Sequence, residues 1–173
     1  MTIHSDHPFL PSEGDREPLR RMRGRMPAPV TVWAAGAGRA RRGLTVSSIL
    51  VADGEPGQVL GLIDEDSELW ESSPPTVVVN LLGAEHRFLA DAFAGTAPAP
   101  GGPFTLGEWI DSEWGPVLAG GAGWMGVRLD DAEPRNVGWG LLVQGVIERV
   151  EVGESDALIH LRGRYRAQGD TSS

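Results

Sequence analysis

Cysteine is absent from this chain, so disulfides, thiol nucleophiles and cysteine-ligated metals lie outside its chemistry. That absence suits a reducing compartment, and a cytoplasmic location is expected. Long apolar runs are missing as well. None approaches the roughly 20 residues that carry a helix across a bilayer, so no membrane association is expected. Residues 1–12 lack the positive-then-apolar order of a secretory signal. Histidine occurs only as His4, His7, His86 and His160, without a His-Glu-x-x-His spacing, and no metal site is expected. Neither Ser47 nor Ser48 sits in a nucleophile-elbow motif, which leaves a hydrolytic triad nothing to build on. A dinucleotide loop is incomplete too. Gly36 and Gly38 follow a β-rich run, but Arg41 stands where the third glycine is needed, and β-formers rather than a helix follow Gly43.

What is present describes an ordinary globular domain. With 173 residues the chain is long enough for one real core. The net charge of −9 repels phosphate backbones, which excludes general nucleic-acid binding. The charge is uneven, however. Arg16, Arg20, Arg21, Arg23, Arg25, Arg39, Arg41 and Arg42 all fall in the first quarter, so a local anion site there is compatible with an acidic whole.

The 24 glycines and 13 prolines are spread between β-rich runs, a pattern of short strands and turns rather than of a helix bundle. Residues 1–13 read as a loose arm, 14–167 as the folded domain and 168–173 as a polar tail. Leu19, Met22 and Met26 recur at helical spacing and predict a short helix over 16–25 with its arginines toward solvent. Strands are predicted at 29–35, 58–63 and 76–82, the last apolar enough to be buried on both faces. Asn80 inside it needs a hydrogen-bond partner, either backbone or ligand.

Between the last two strands, the turn Asp64-Glu65-Asp66-Ser67 is placed to cap a short helix over 68–72. A helix over 84–93 would turn Phe88, Leu89, Ala92 and Phe93 to one face. Phe104, Trp109 and Trp114 punctuate a region with no assigned element, where aromatics more often plug a barrel end than bind a cofactor. Further strands are predicted at 117–129, interrupted by Gly120, Gly121 and Gly123, at 137–150 and at 157–161. These elements describe a small antiparallel barrel better than a layered α/β sheet.

The densest polar feature is Gly43-Leu44-Thr45-Val46-Ser47-Ser48-Ile49, where a glycine and a β-rich run carry three hydroxyls. Hydroxyls and local N–H groups could hold a phosphate, with Arg41 and Arg42 adding charge. The alternative is an edge strand whose hydroxyls face water.

Taken in order, these segments resemble the flavin reductase-like family of FMN-binding split barrels. Gly43 to Ser48 is similar to the family's G-[ML]-T-[AV]-S-S. The likeness extends from Leu19-Arg20-Arg21-Met22 and Pro29-Val30-Thr31-Val32 through Leu62-Ile63-Asp64-Glu65-Asp66-Ser67, Val78-Val79-Asn80-Leu81-Leu82 and Leu89 to Gly95. It ends at Gly115-Pro116-Val117-Leu118 and Gly163-Arg164-Tyr165, covering roughly residues 16–167.

The resemblance implies a mainly β, six-stranded antiparallel Greek-key split barrel with two or three short helices, forming a homodimer. It implies FMN, or FAD or another flavin, with its phosphate and ribityl chain against Thr45, Val46, Ser47 and Ser48 and its ring edge by Leu62, Ile63, Asp64 and Ser67. NAD(P)H would be the co-substrate and a monooxygenase a possible partner. One departure stands out. Where many family members have Gly-Asp-His near the nicotinamide, this chain has Gly138-Trp139-Gly140. Two functions therefore remain open: a flavin reductase, or a non-catalytic FMN-binding or electron-transfer protein with weak nicotinamide activity. Trp139 itself reads either as a flavin contact or as barrel-end packing.

Overall fold

The computed structural model describes residues 18–167. The expected arm at 1–13, the first two histidines, Arg16 and the tail at 168–173 lie outside the described residues. In chain order the elements begin with α1 (Pro18–Arg25), β1 (Ala28–Pro29), β2 (Thr31–Ala35), β3 (Arg42–Val46), β4 (Ile49–Ala52) and β5 (Gln58–Ile63). Then come α2 (Glu68–Glu71), β6 (Thr76–Leu81), α3 (Arg87–Phe93), β7 (Trp109–Asp111), β8 (Pro116–Leu118) and β9 (Gly123–Leu129). A hairpin of β10 (Arg135–Val137) and the long β11 (Gly140–Val152) follows, and β12 (Leu158–Leu161) and β13 (Arg164–Ala167) close the order.

The main sheet runs β3-β2-β6-β9-β11-β5-β4, with β10 paired on β11. Every pairing is antiparallel. The two ends of that order, β3 and β4, are separated in the chain only by Ser47 and Ser48. The sheet therefore closes on itself through chain continuity: β3 pairs with β2, the chain steps across the two serines, and β4 pairs with β5. Read as one interrupted strand, β3–β4 makes the ring six-stranded, and its crossover from β5 to β6 gives the Greek-key order. The structure is thus the mainly β split barrel that the sequence implied.

Side-chain alternation explains why the sheet curls. Val59, Gly61 and Ile63 of β5 and Leu141 and Val143 of β11 turn inward, where they meet Trp33, Val46, Val77, Val79 and Val127. Gly61 is the fitted piece: a β-carbon there would lie 2.6 Å from Trp33 Cζ2, so the indole occupies the space a side chain would fill. A second apolar layer covers the outside of β2 and β6. Val32, Ala34 and Leu82 pack there against Leu89, Ala90, Phe93, Leu118 and Leu158. Because both layers lean on it, β2 is buried at every position, and Val77 to Asn80 are likewise buried on both faces of β6.

Several expectations need correction. The predicted strand at 117–129 is two strands, since Gly120 at φ +73° turns the chain so that β8 pairs with β7 while β9 returns to β6. The strand at 29–35 is interrupted at Val30, whose carbonyl accepts from Leu82 N and whose amide donates to Leu158 O. Residue 137 belongs to β10, and β13 follows the strand predicted to be last. Phe88 is 47% exposed rather than inward, because Ala84–His86 form a 3-10 turn that shifts the phase of the following helix. Leu19, Met22 and Met26 are also exposed, so the helical stripe of α1 does not pack on its own chain. Phe104 and Trp109 do not plug the barrel. They stack edge-to-face with Phe93 on the outer layer, at 4.8 and 5.4 Å. Trp114 lies on the outer surface, with its indole over Gly126 and its Nε1–H donating to Glu148.

Asn80 finds backbone partners. Its Nδ2 donates to Val32 O at 3.3 Å and Pro116 O at 3.1 Å, while its Oδ1 accepts from Leu118 N at 2.8 Å. One buried amide thus ties β2, β6 and β8 together. Replacing it removes three buried hydrogen bonds to main-chain groups, so Asn80→Ala should cost about 2–4 kcal/mol. Urea unfolding reads this directly, and an unchanged midpoint would contradict the clamp.

Tyr165 donates to Asp91 Oδ1 at 3.0 Å, holding β13 to α3. Burial, with the Asp91 carboxylate as the lesser cause, pushes the phenol up to about 12. It is the chain's only tyrosine, so ultraviolet titration isolates it. Raised above its unfolded value of roughly 10, this group stabilises the fold fully below that value. Its contribution is lost as pH climbs toward the folded pKa. The native phenolate band should therefore rise well above pH 10, and a native midpoint at the free-tyrosine value would refute the assignment.

Candidate functional site

The break between β3 and β4 is where the three hydroxyls part company. Glycine is favoured at its head: a β-carbon on Gly43 would sit 2.6 Å from Phe93 Cε1, so the aromatic ring lies directly against the strand there. Thr45 then faces α3 and donates to Ala90 O at 2.7 Å. Val46 points into the barrel core, and its carbonyl accepts from the buried Thr31 hydroxyl. After it the β2 ladder ends, and the β5 ladder begins only at Ile49. The Ser47 and Ser48 amides fall between the two ladders, and both side chains are half-buried at the surface.

Ser48 is met by a residue the sequence did not single out for the site. Arg23 Nη2 on α1 donates to Ser48 Oγ at 3.1 Å. Its only sequence signal was membership in the arginine-rich first quarter. Arg41 and Arg42, expected as the added charge, are engaged elsewhere. Arg41 pairs with Asp111 at 2.9 Å and lies over the Phe104 ring, 5.9 Å from its centroid. Arg42 donates to Arg41 O at 2.9 Å and approaches Glu68 at 3.9 Å.

The second group of expected residues lies beside the first. Leu62 N donates to Ser48 O at 2.9 Å, and Ile49 pairs with Gly61. Leu62 is on the outer face of β5, while Ile63 is buried in the core. Asp64 is exposed, and its Oδ1 accepts from Asp66 N at 2.9 Å. Ser67 caps α2 as expected, accepting from Trp70 N at 3.3 Å and donating to Asp64 O at 2.7 Å. Ser48 thus lies opposite Leu62, with Ser47 next to it in the break, whereas Ser67 is occupied in the adjoining turn.

Across the strand pair, Leu62 opposes Leu142 and Ile63 opposes Leu141. A β-carbon on Gly140 would come within 3.4 Å of both Leu62 Cβ and Ile63 O. The β10–β11 hairpin therefore presses its tip against the strip, and Trp139 at that tip is 76% exposed. It is not packed into the barrel end.

Leu142 also lines a cavity of about 320 Å³ with Trp70, Leu129, Arg135 and Gln144, at the small end of ligand-sized pockets. That cavity contains none of the eight expected residues and adjoins the strip only through Leu142. Among the described residues no group of acidic or histidine side chains is arranged to hold a metal. Nor is any helix of those residues long and apolar enough to cross a membrane.

Comparison with solved structures finds the same architecture repeatedly. The Streptomyces globisporus C-1027 NADH:FAD oxidoreductase SgcE6 is 25% identical, with 94% of this chain and 98% of that chain covered and a TM-score of 0.77. Nitrilotriacetate monooxygenase component B from Mycobacterium thermoresistibile is 20% identical over 90% of this chain and 88% of that one, with a TM-score of 0.75. BorF, the flavin reductase component of a bacterial two-component tryptophan halogenase, is 21% identical over 88% and 97%, again with a TM-score of 0.75. No curated protein matches by sequence. The family model described as "Flavin reductase like domain" matches residues 22–169, nearly the whole chain, and the protein belongs to that family.

Proposed function

We propose that this protein is an NAD(P)H-dependent flavin reductase whose flavin lies along Ser47, Ser48 and Leu62, on the face where the β3–β4 break interrupts the ladders. The carrying observation is that break. Two hydroxyls and two amides outside either ladder lie directly beside an outward-facing leucine strip. These donors fit a phosphorylated ligand, because two hydroxyls and two N–H groups on adjacent residues lie outside the ladders. Apolar Leu62 beside them fits the flat, weakly polar body of an isoalloxazine.

In this reading Ser47 and Ser48 hold the phosphate and ribityl end. Thr45 and Val46 fix the strand that presents them, through Ala90 and Thr31. Leu62 and Ile63 form the edge against which the ring rests, and the turn from Asp64 to Ser67 bounds it. FMN is the simplest occupant; FAD would use the same donors for its pyrophosphate. A bound flavin supplies the two-electron chemistry that accepts hydride from NAD(P)H. The protein's share is to orient it and to cover one face. Reduced flavin could then serve a partner oxygenase, a reading supported by one relative that is the flavin reductase component of a two-component halogenase and another that is a monooxygenase component.

A second reading rests on Trp139. An exposed indole at the rim stands in place of the family's aspartate, with Gly140 in place of its histidine, and this favours a protein that holds FMN but reacts weakly with nicotinamide. Steady-state oxidation of NADH and NADPH with added FMN or FAD separates the two. Turnover well above the protein-free blank is expected. Flavin binding without turnover, with reduction by dithionite alone, would replace the reductase by the carrier.

The same face supports a homodimer. Leu19 and Met22 on α1 and Leu50 on β4 are exposed, and Arg23 of α1 donates to Ser48 just before β4. A twofold copy would cover this apolar set and the free edge of β4. Sedimentation equilibrium should give twice the chain mass, and Met22→Glu with Leu50→Glu should shift it to monomer. A wild-type monomer at micromolar concentration would remove the dimer.

A further inference from the structure

Lysine is absent, so every side chain of this sequence that is permanently cationic at neutral pH is an arginine. Anion recognition by a side-chain cation therefore falls to guanidinium groups, whose fork matches phosphate oxygens. Arg41 and Arg42 are tied to Asp111, to backbone carbonyls and to Glu68. Arg23 is different. Its contact is the neutral Ser48 hydroxyl, and it makes no ion pair among the described residues. One of its five N–H donors is thereby used, and the others remain available.

The end of α1 that carries this guanidinium is fixed from two sides. Met26 N donates to Arg23 O at 3.1 Å, and Arg162 N donates to Gly24 O at 2.7 Å. The latter amide belongs to the tight β12–β13 turn, where Arg162 at φ +51° and Gly163 at φ +76° have the left-handed conformations of a two-residue hairpin. The anchoring matters because an exposed arginine on a loose helix would lose its orientation to rotamer entropy.

We infer that Arg23 is the phosphate-reading cation of the Ser47–Ser48 site, so that the protein discriminates phosphorylated from unphosphorylated flavins. The inference rests on the flavin reading above and assigns its anion subsite. Ser48 accepts from Arg23 and keeps its own proton to donate. The Ser47 hydroxyl, which has no partner among the described residues, and the two inter-ladder amides complete the donor set. A monoester dianion would thus meet one guanidinium, two hydroxyls and main-chain N–H groups, with no carboxylate contact to either serine or to Arg23.

The test compares FMN with riboflavin, which differ only in that phosphate, using flavin fluorescence to measure Kd for the full chain and for Arg23→Gln and Arg23→Lys. A hydrogen bond to a charged group is lost in Arg23→Gln, so FMN affinity should fall about 10- to 100-fold. Riboflavin affinity should change less than about twofold, because nothing in its chemistry uses the cation. The salt dependence of FMN binding should flatten, and Arg23→Lys should recover part of the loss. Arg23 is exposed, and circular dichroism should show the variants folded. Equal loss for both flavins, or FMN affinity unchanged in folded Arg23→Gln, would overturn the inference while leaving the flavin site standing. Failure of the wild-type protein to bind either flavin would overturn the site and the inference together.

Discussion

The step from β3 to β4 across Ser47 and Ser48 is the constraint on which the molecule depends. It closes a curled sheet into a barrel without a ladder between the strands at the seam. A continuous strand would have committed its amides to neighbours and alternated its side chains in and out without interruption. The interruption does neither. It leaves two residues whose amides belong to no ladder, although the Ser48 carbonyl still accepts from Leu62 N.

The seam holds its position because both flanks are anchored from behind. On the inner side Thr31 donates to Val46 O within the buried core. On the outer side Thr45 donates to Ala90 O, and α3 is pinned in turn by Tyr165 through Asp91. Trp33 fills the space beside Gly61, so β5 lies close enough for Leu62 N to reach Ser48 O. Asn80 locks β2, β6 and β8 at the far side of the same framework. Rigidity here comes from two apolar layers sharing the central strands. The site's own face, by contrast, is built from the exposed helix α1, the short strand β4 and the β10–β11 hairpin tip.

That contrast gives a physical account of how this member of the family fits a common barrel to its own ligands. Buried positions are dictated by packing on both faces and leave little freedom. The rim residues Arg23, Trp139 and Leu50 touch little of the core, so they can differ between relatives that share the fold at only 20–25% identity without disturbing it. The chain is acidic as a whole, and among its first-quarter arginines Arg23 bonds to a serine of the seam.

The sequence alone determined the strand pairing partners' character, because burial imposes a period that residues display directly. The strand at 58–63, the continuous apolar run at 77–79, the Ser67 cap and the Gly43 motif were all legible from side-chain type and spacing, while the inward and outward turns of 58–63 were set by the sheet. The family resemblance ordered them into a split barrel. Legibility failed where a contact spans distant segments. Phe88 turned outward because a 3-10 turn changed the helix phase, and Arg41 was drawn to Asp111 while Arg23 reached Ser48. Asn80 chose backbone over ligand because β8 folded back beside it. Which hydroxyl stays open and which cation faces it was decided only in three dimensions. A polar group's partner depends on which segments tertiary packing brings within about 3 Å, and local periodicity does not encode that distance.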